Sequence, residues 1–380
     1  MSDTPFVYGK MADSHNFTDR VQETGYLTNN FKGLINTIII SPRRWGKTSL
    51  VNKVAAVVST DKDYIICKID IFNCRTADQF YTAYANAVLK ASTTAWDEFV
   101  AGAKKYLSRM LPKIALTNAT QMYELSFGVD FGNKDTSVDD ILDLPQVIAI
   151  EKGKKVIVCI DEFQNINDYA DSLGFQQKLR AHWQLHTHVS YCLYGSKRHM
   201  LMRIFTDYKM PFYKFGDLFF LEKIKREDWI GFISGRFAQT GKHISDELCS
   251  QIAGLMNNHP YYTQQLSQQV WLRTTDNCTL EIVTDSFQSL VNQLSLLFRN
   301  IIDSMTVRQI NFLKSIAFGE VNFSSKSVLD KYQLGSSANI KNLRQATLDR
   351  DIIDILPGNK MIFQDPVFEY WLVNEYFVAK

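Results

Sequence analysis

Short apolar runs alternate with longer amphipathic stretches through the first half of the chain. The runs are rich in β-branched residues, which is typical of strands that are covered on both faces. They are LINTIII (34–40), YIICKIDIF (64–72), KVIVCI (155–160), VSYCLY (189–194) and LFFLEK (218–223). Stretches between them, such as KTSLVNKVAAVVS and FQQKLRAHWQL, show helical periodicity. The alternation predicts an α/β domain with a parallel, doubly wound sheet over residues 1–224.

One segment of this first half does not follow the alternation. Residues 113–132, KIALTNATQMYELSFGVDFG, show a period of two residues with polar turns. This pattern predicts a β-hairpin insertion.

Beyond residue 224 the pattern becomes helical. Four amphipathic stretches, several opening on Ser, Thr, Asp or Pro, predict an all-α domain over 225–303. Three short helices are then predicted at 306–317, 325–332 and 336–350, followed by two alternating runs around a Pro-Gly-Asn turn. Three helices and a hairpin predict a winged-helix domain over 304–380.

Composition adds little to this picture. The chain has 380 residues, 46% of them hydrophobic and 22% charged, which allows two or three packed domains. A net charge of +2 does not indicate a nucleic-acid or membrane partner. The N-terminus lacks the pattern of a signal peptide, and no apolar run approaches the roughly 18 to 20 residues of a membrane helix. The six cysteines are scattered without a CxxC pair, so we expect a reducing, cytoplasmic environment.

The stretch IIISPRRWGKTSLV (38–51) predicts a phosphate-binding loop between the first strand and the helix after it. In such a loop backbone N–H groups surround a phosphate, a lysine reaches the β and γ phosphates, and a hydroxyl ligates magnesium. Lys47 and Thr48 have the required spacing. The predicted nucleotide-binding residues of the loop are Ser41, Pro42, Arg43, Arg44, Trp45, Gly46, Lys47, Thr48 and Ser49.

Ser41 stands where such loops usually open with glycine. We expect serine to be tolerated, because the opening position needs a compact residue more than a positive φ, whereas Gly46 carries the tighter constraint. The alternative for this stretch is an ordinary turn with a solvated lysine.

Two acidic residues come directly after the predicted strand KVIVCI. Acids at the carboxyl end of a parallel strand point into the crevice where such sheets bind ligands. Asp161 suits a magnesium ligand, and Glu162 suits a group that orients or activates water. Ser196, just after the next strand along the chain, could contact a γ phosphate. The alternatives are a solvated acidic turn and an ordinary polar strand end. The predicted catalytic set is therefore Lys47, Asp161, Glu162 and Ser196, with Mg²⁺ on Thr48 and Asp161.

Together these motifs resemble the AAA+ and STAND-type nucleoside triphosphatases, most closely the archaeal ATPases. The resemblance rests on SPRRWGKTSL, IDEFQ, FTDRVQET, YGSKRHM, NNHPYYTQQL and QDPVFEYWL, which together span nearly the whole chain. It implies a helical lid over 225–303, with ATP and Mg²⁺ bound between the sheet domain and the lid.

The resemblance also implies further nucleotide contacts. Residues Phe17 to Arg20 would line the adenine pocket, and Pro260 in the lid would approach the nucleotide. Asn258 replaces a glycine that is common two residues before that proline. An arginine finger is not assigned, and the candidates are Arg43, Arg44, Arg180 and Arg198.

Two other signals leave alternatives open. His182 and His186 are spaced for one helix face and for zinc, although a surface or helix-end role explains them as well. The predicted recognition helix 336–350 carries Lys341 and Arg344, with Lys331 just before it, so the winged helix could contact DNA or a protein.

These observations lead to one main hypothesis and two alternatives. The main hypothesis is a slow, Mg-dependent ATPase that acts as a nucleotide-controlled switch and repositions the lid and winged helix. The alternatives are a DNA-binding regulator and a protein-interaction scaffold, each with ATP or ADP in a structural role. The oligomeric state is not indicated by the sequence.

Overall fold

The computed structural model describes residues 4–9, 20–93, 98, 101–102, 105–106, 112–117, 122–127 and 134–378. These residues group into two compact units. The sheet unit comprises Arg20–Ser41 and the described residues of Lys47–Leu221. The helical unit comprises Pro42–Gly46 and the described residues of 4–9 and 222–378. The tip of the phosphate-binding loop therefore groups with the helical unit, although the loop begins and ends in the sheet unit.

The sheet unit contains seven strands in two sheets. They are β1 (Thr37–Ile40), β2 (Tyr64–Asp70), β3 (Pro112–Thr117), β4 (Met122–Phe127), β5 (Lys155–Asp161), β6 (Val189–Gly195) and β7 (Asp217–Phe220). Five of them form a parallel sheet in the order β2-β5-β6-β1-β7. The five predicted strand runs and the α/β fold class are confirmed. β3 and β4 pair antiparallel, as predicted for the insertion, and residues 118–121 and 128–132 lie outside the described residues.

The register of the sheet brings the polar strand ends together. In the pairing of β5 with β6, Ile160 lies opposite Leu193, and in the pairing of β1 with β6, Ile40 lies opposite Gly195. Because the strands are parallel, the chain leaves all of them at one edge of the sheet. This edge carries Ser41, Asp161 and Ser196.

Helices cover the sheet. They are α1 (Val21–Lys32), α2 (Lys47–Val58), α3 (Ala77–Ser92), α4 (Lys134–Lys152), α5 (Ser172–Trp183) and α6 (Arg198–Thr206). The buried faces of α3, α4, α5 and α6 form one hydrophobic cluster with aliphatic strand residues, with an aromatic stack at its centre. In this stack the Trp183 ring lies 4.1 Å from the Tyr191 ring and 6.1 Å from the Tyr84 ring. The β-branched strands and these aromatics bury the surface that stabilises the unit.

The helical unit is built from helices and one hairpin. They are α7 (Arg226–Ala238), α8 (Asp246–Leu255), α9 (Pro260–Arg273), α10 (Leu280–Asp303), α11 (Val307–Ala317), α12 (Lys326–Lys331), α13 (Ser337–Asp349), β8 (Ile353–Leu356), β9 (Lys360–Phe363) and α14 (Pro366–Trp371). Ser245, Thr279 and Thr306 cap the starts of α8, α10 and α11 with their side chains. The predicted helices and the antiparallel hairpin are confirmed.

One hydrophobic cluster runs through the helical unit, from Trp229 in α7 to Trp371 in α14. The domain boundaries predicted at residues 224 and 303 stay predictions. In the described part of the chain, no helix combines the length and apolar character needed to cross a membrane.

The N-terminal segment contributes to this cluster, which the sequence did not indicate. The Phe6 side chain is buried, with its ring edge-on to the rings of Phe232 and Phe237. The Val7 amide donates to the Gln264 side chain at 3.1 Å. Residues 4–9 are therefore part of the helical unit.

Candidate nucleotide-binding site

The carboxyl edge of the sheet brings a hydroxyl and a carboxylate together. Asp161 is the last residue of β5, and Thr48 is the second residue of α2. The Thr48 hydroxyl donates to Asp161 Oδ2 at 2.7 Å, and the Glu162 amide donates to Asp161 Oδ1 at 2.8 Å. Two oxygen ligands at this separation suit a hard cation such as Mg²⁺, which usually takes one or two carboxylates from the protein. The donor set therefore fits the predicted metal.

Burial shifts the protonation of this carboxyl group. Desolvation raises the pKa of Asp161 to about 6, and the hydrogen bond from Thr48 opposes part of that shift. The charged form is therefore costly unless a cation lies beside it.

The raised pKa predicts how stability depends on pH. Since the carboxyl group of Asp161 binds its proton more tightly in the folded protein, it stabilises the fold at low pH and loses that contribution as pH rises through about 6. Without magnesium, the free energy of unfolding of the wild type should fall relative to Asp161→Asn by roughly 1 to 3 kcal/mol between pH 4 and 7. Urea unfolding of both proteins across this range measures it. A difference between the two proteins that stays constant with pH would contradict the assignment.

Glu162 is oriented by two side chains. Its backbone has a φ of 57°, an uncommon conformation for a residue other than glycine. Its Oε2 accepts hydrogen bonds from the Ser196 hydroxyl at 2.8 Å and from the Gln164 side chain. Ser196 lies directly after β6, which is the neighbour of β5 in the sheet. The structure thus brings Ser196 to Glu162.

Gln164 is a site residue that the sequence analysis missed. Its side chain is buried, and a Cβ atom at Gly195 would lie 1.8 Å from Gln164 Oε1. Gly195 at the end of β6 is therefore required for Gln164 to reach Glu162. The glutamine of IDEFQ was the available signal, but nothing in the pattern indicated that it is buried.

Ser41 holds the side chain of Lys47, and both loop residues belong to the sheet unit. Lys47 is the first residue of α2, its side chain is buried, and its ammonium donates to the Ser41 carbonyl at 3.2 Å. Ser41 is fully buried and is not among the residues with positive φ, as expected for a compact opening residue. Gly46 has a φ of 88° and carries the conformational constraint predicted for it.

The loop tip lies among residues of the helical unit. Arg44 has a φ of 64°, its Nη1 donates to the Tyr262 hydroxyl at 3.3 Å, and its Cζ lies 4.5 Å from the centre of the Tyr261 ring. The buried Trp45 ring lies edge-on to the His259 ring at 6.3 Å. Both loop residues were predicted to lie at the nucleotide, and no sequence signal indicated these aromatic contacts.

The segment around Pro260, which was predicted to belong to a lid, forms a regular helix start. Pro260 is the buried first residue of α9, and the His259 side chain caps that helix by accepting from the Tyr261 amide. Asn258 has a φ of 55°, which is the conformation that favours glycine and that asparagine adopts more readily than most residues. The departure from the usual glycine is therefore tolerated.

The structure adds little about the remaining residues that were predicted to contact the nucleotide. Arg20 is buried and pairs with Glu23 at 2.7 Å, whereas Phe17 lies outside the described residues. Among the candidate arginine fingers, Arg43 is exposed, while Arg180 and Arg198 lie 4.9 and 6.0 Å from the rings of Phe215 and Phe220. These positions do not assign a finger.

His182 and His186, whose spacing would also allow zinc, are held by carboxylates. His182 contacts Asp143 at 2.8 Å and Asp139 at 3.1 Å, and His186 contacts Asp143 at 3.2 Å and the Tyr191 hydroxyl at 2.8 Å. Desolvation lowers the pKa of His186. The described residues include no group of three or more histidine, cysteine or acidic side chains suited to hold a metal ion.

Comparison with solved structures identifies the fold. A Walker-type ATPase of Pyrococcus abyssi superposes with a TM-score of 0.68 at 16% identity, covering 97% of this chain and 99% of that chain. The chain has the fold of this Walker-type ATPase.

The ORC2 protein of Aeropyrum pernix has a similar fold. Its ADPNP–ADP complexes give a TM-score of 0.56 at 12% identity, with 99% of this chain and 100% of that chain covered. Its ADP form gives 0.51 at 12% identity, with 94% and 92% covered. No protein-family model and no curated protein sequence matches the chain. At these identities the likeness establishes the fold alone, and the roles of individual residues rest on the site's own geometry.

Proposed function

We propose that this protein binds ATP with Mg²⁺ and hydrolyses it slowly. The observation that carries the proposal is the contact between the Thr48 hydroxyl and Asp161, with Glu162 as the next residue. The AAA+ fold supports it, because it places a loop, a helix start and two strand ends at one edge of a sheet.

Each site residue has a proposed role. Residues Ser41 to Ser49 surround the phosphates, and the ammonium of Lys47 neutralises their charge. Thr48 and Asp161 hold Mg²⁺, which when bound supplies charge stabilisation at the transferred phosphate. Glu162, oriented by Ser196 and Gln164, accepts a proton from the attacking water.

The adenine contacts belong to the same proposal. Phe17 and Arg20 line the base pocket, and Pro260 contacts the nucleotide from the lid. We further propose that the nucleotide acts as a switch, so that exchange of ATP for ADP changes how the lid and the winged helix are held. The lid contacts of the loop tip at Tyr262 support this role.

The test is a hydrolysis assay on the purified full-length protein. We expect Mg-dependent turnover of about 10⁻² s⁻¹ or slower, in the range of switch-type phosphate-loop enzymes, and no turnover in EDTA. Calorimetric titration with Mg·ADP gives the affinity. Failure of the wild type to bind ATP or ADP would overturn the proposal.

DNA binding by the winged helix stays a separate prediction. Lys341 is exposed on α13, whereas Arg344 is partly buried and Lys331 pairs with Glu320 at 2.8 Å. Adding duplex DNA to the same hydrolysis assay distinguishes a DNA-binding regulator from a switch that acts on a protein partner. DNA binding together with negligible turnover would favour the DNA-binding regulator, and turnover without any DNA effect would favour a switch that acts on a protein partner.

A further inference from the structure

Residues 4–8 lie along one face of α9 and run antiparallel to it. Three contacts define this path, each about one helical turn from the next, so the α9 residues that make them share one face. Towards the start of α9, they join Gln268 to the Thr4 hydroxyl at 2.8 Å, Gln264 to the Val7 amide at 3.1 Å, and the Tyr261 ring edge-on to the Tyr8 ring at 5.7 Å.

A buried aromatic ring anchors this segment. The Phe6 ring lies edge-on to the rings of Phe232 and Phe237, with 6.1 and 5.9 Å between the ring centres. Aromatic side chains bury a large apolar area, and edge-on pairs add to that gain. Since Phe6 is fixed in the hydrophobic cluster of the helical unit, Tyr8 two residues later is held beside Tyr261.

The ring of Tyr261 also contacts the tip of the phosphate-binding loop. The Cζ atom of Arg44 lies 4.5 Å from the centre of this ring, which is within the range of a cation–π interaction. Arg44 Nη1 in addition donates to the Tyr262 hydroxyl at 3.3 Å. All of these residues lie in the helical unit. A chain of direct contacts therefore leads from Tyr8 through Tyr261 to Arg44.

The backbone of Arg44 needs this support. Its φ of 64° is the left-handed conformation, in which the Cβ atom of any residue other than glycine crowds the following carbonyl oxygen. Such a conformation persists only where surrounding contacts hold it. The contacts of the guanidinium with Tyr261 and Tyr262 are in a position to do so.

We propose that Tyr261, backed by Tyr8, is a positioning residue that keeps Arg44 left-handed and the phosphate-binding loop pre-formed, and this rests on the proposed binding of ATP. A loop that is pre-formed in only a fraction of molecules binds its ligand more weakly by that fraction. Residues 4–8 thus raise the affinity of the loop for nucleotide through the aromatic contact of Tyr8 with Tyr261.

The first test removes each ring and keeps an apolar side chain. In calorimetric titrations Tyr261→Leu should bind Mg·ADP about fivefold or more weakly than the wild type, since the strain of a left-handed residue is no longer offset. Tyr8→Leu should weaken binding about twofold to threefold, because it removes one aromatic contact of Tyr261. The matched controls Tyr261→Phe and Tyr8→Phe keep the rings and should keep the wild-type affinity.

The second test removes the need for support. Glycine adopts a φ of 64° without strain, so Arg44→Gly should bind Mg·ADP more tightly than Arg44→Ala, although both lack the guanidinium. Adding Tyr261→Leu or Tyr8→Leu to Arg44→Gly should leave its affinity unchanged. If the two tyrosines only stabilise the helical unit, their substitutions would weaken binding equally in both backgrounds.

The outcomes separate this inference from the proposed function. Wild-type affinity in both leucine variants, an equal loss in the Arg44→Gly background, or equal affinities of Arg44→Gly and Arg44→Ala would overturn the positioning role and leave ATP binding standing. If circular dichroism shows that Tyr261→Leu is unfolded, Tyr8→Leu alone and in the Arg44→Gly background decides the question. A wild type that does not bind Mg·ADP would overturn both proposals.

Discussion

Lys47→Ala is expected to lower ATP turnover by about 10² to 10³-fold, the range seen when one stabilising donor is removed from an active site. The Lys47 side chain is buried at the start of α2, and its ammonium is oriented by the Ser41 carbonyl. A buried, oriented charge interacts with an anion more strongly than a solvated one, because less water screens it. The same substitution should weaken binding of ATP and ADP. Turnover and calorimetric titration measure the two effects.

The fold should survive the loss of Lys47. The hydrogen bond to Ser41 contributes about 1 kcal/mol, which is small against the stability of a domain. Lys62→Ala removes the same charge from an exposed turn and should keep wild-type turnover and affinity. Full activity of Lys47→Ala would exclude the loop as the phosphate site, whereas loss of activity together with loss of the circular dichroism spectrum would indicate misfolding.

The parallel sheet and the position of Asp161 and Glu162 could be predicted from the sequence, because each depends on a short continuous stretch of the chain. Strands covered on both faces produce continuous apolar runs, so the runs ending at Ile40 and Ile160 identified β1 and β5. Parallel pairing then places the loop after β1 and the acids after Ile160 at one edge of the sheet. Thr48 and Asp161 are 113 residues apart, yet the strand ends alone indicated that they meet.

The contacts of the loop tip could not be predicted in this way. Arg44 and Tyr262 are 218 residues apart, and neither lies at a strand end that a topological rule would bring together. A left-handed arginine has no sequence signal, since such conformations are set by tertiary contacts. The packing of Gln164 against Gly195 could not be predicted either, because glycine at a strand end usually indicates only a turn.

Glu162→Gln is expected to separate binding from hydrolysis. The amide retains an oxygen that can accept from Ser196 and Gln164, so the side chain should keep its place, but it cannot take a proton from water. General-base catalysis contributes typically about 10² to 10⁴-fold, and turnover should fall within that range. The affinity for Mg·ATP should stay close to the wild-type value, because Lys47, Thr48 and Asp161 are unchanged. Single-turnover hydrolysis and calorimetric titration measure the two quantities.

The value of this variant lies in its comparison with Lys47→Ala. Glu222→Gln, at an exposed glutamate, makes the same chemical change away from the site and should leave turnover unaltered. If Glu162→Gln hydrolyses ATP at the wild-type rate while Lys47→Ala is inactive, the loop binds ATP and Glu162 is not the base. In that case the Glu162 carboxylate, held by the hydrogen bond from Ser196, would only help to position the attacking water. The proton of that water would have to go to another acceptor. If instead Glu162→Gln binds ATP tightly and does not hydrolyse it, Glu162 is the base, and the variant holds the protein in its ATP-bound form.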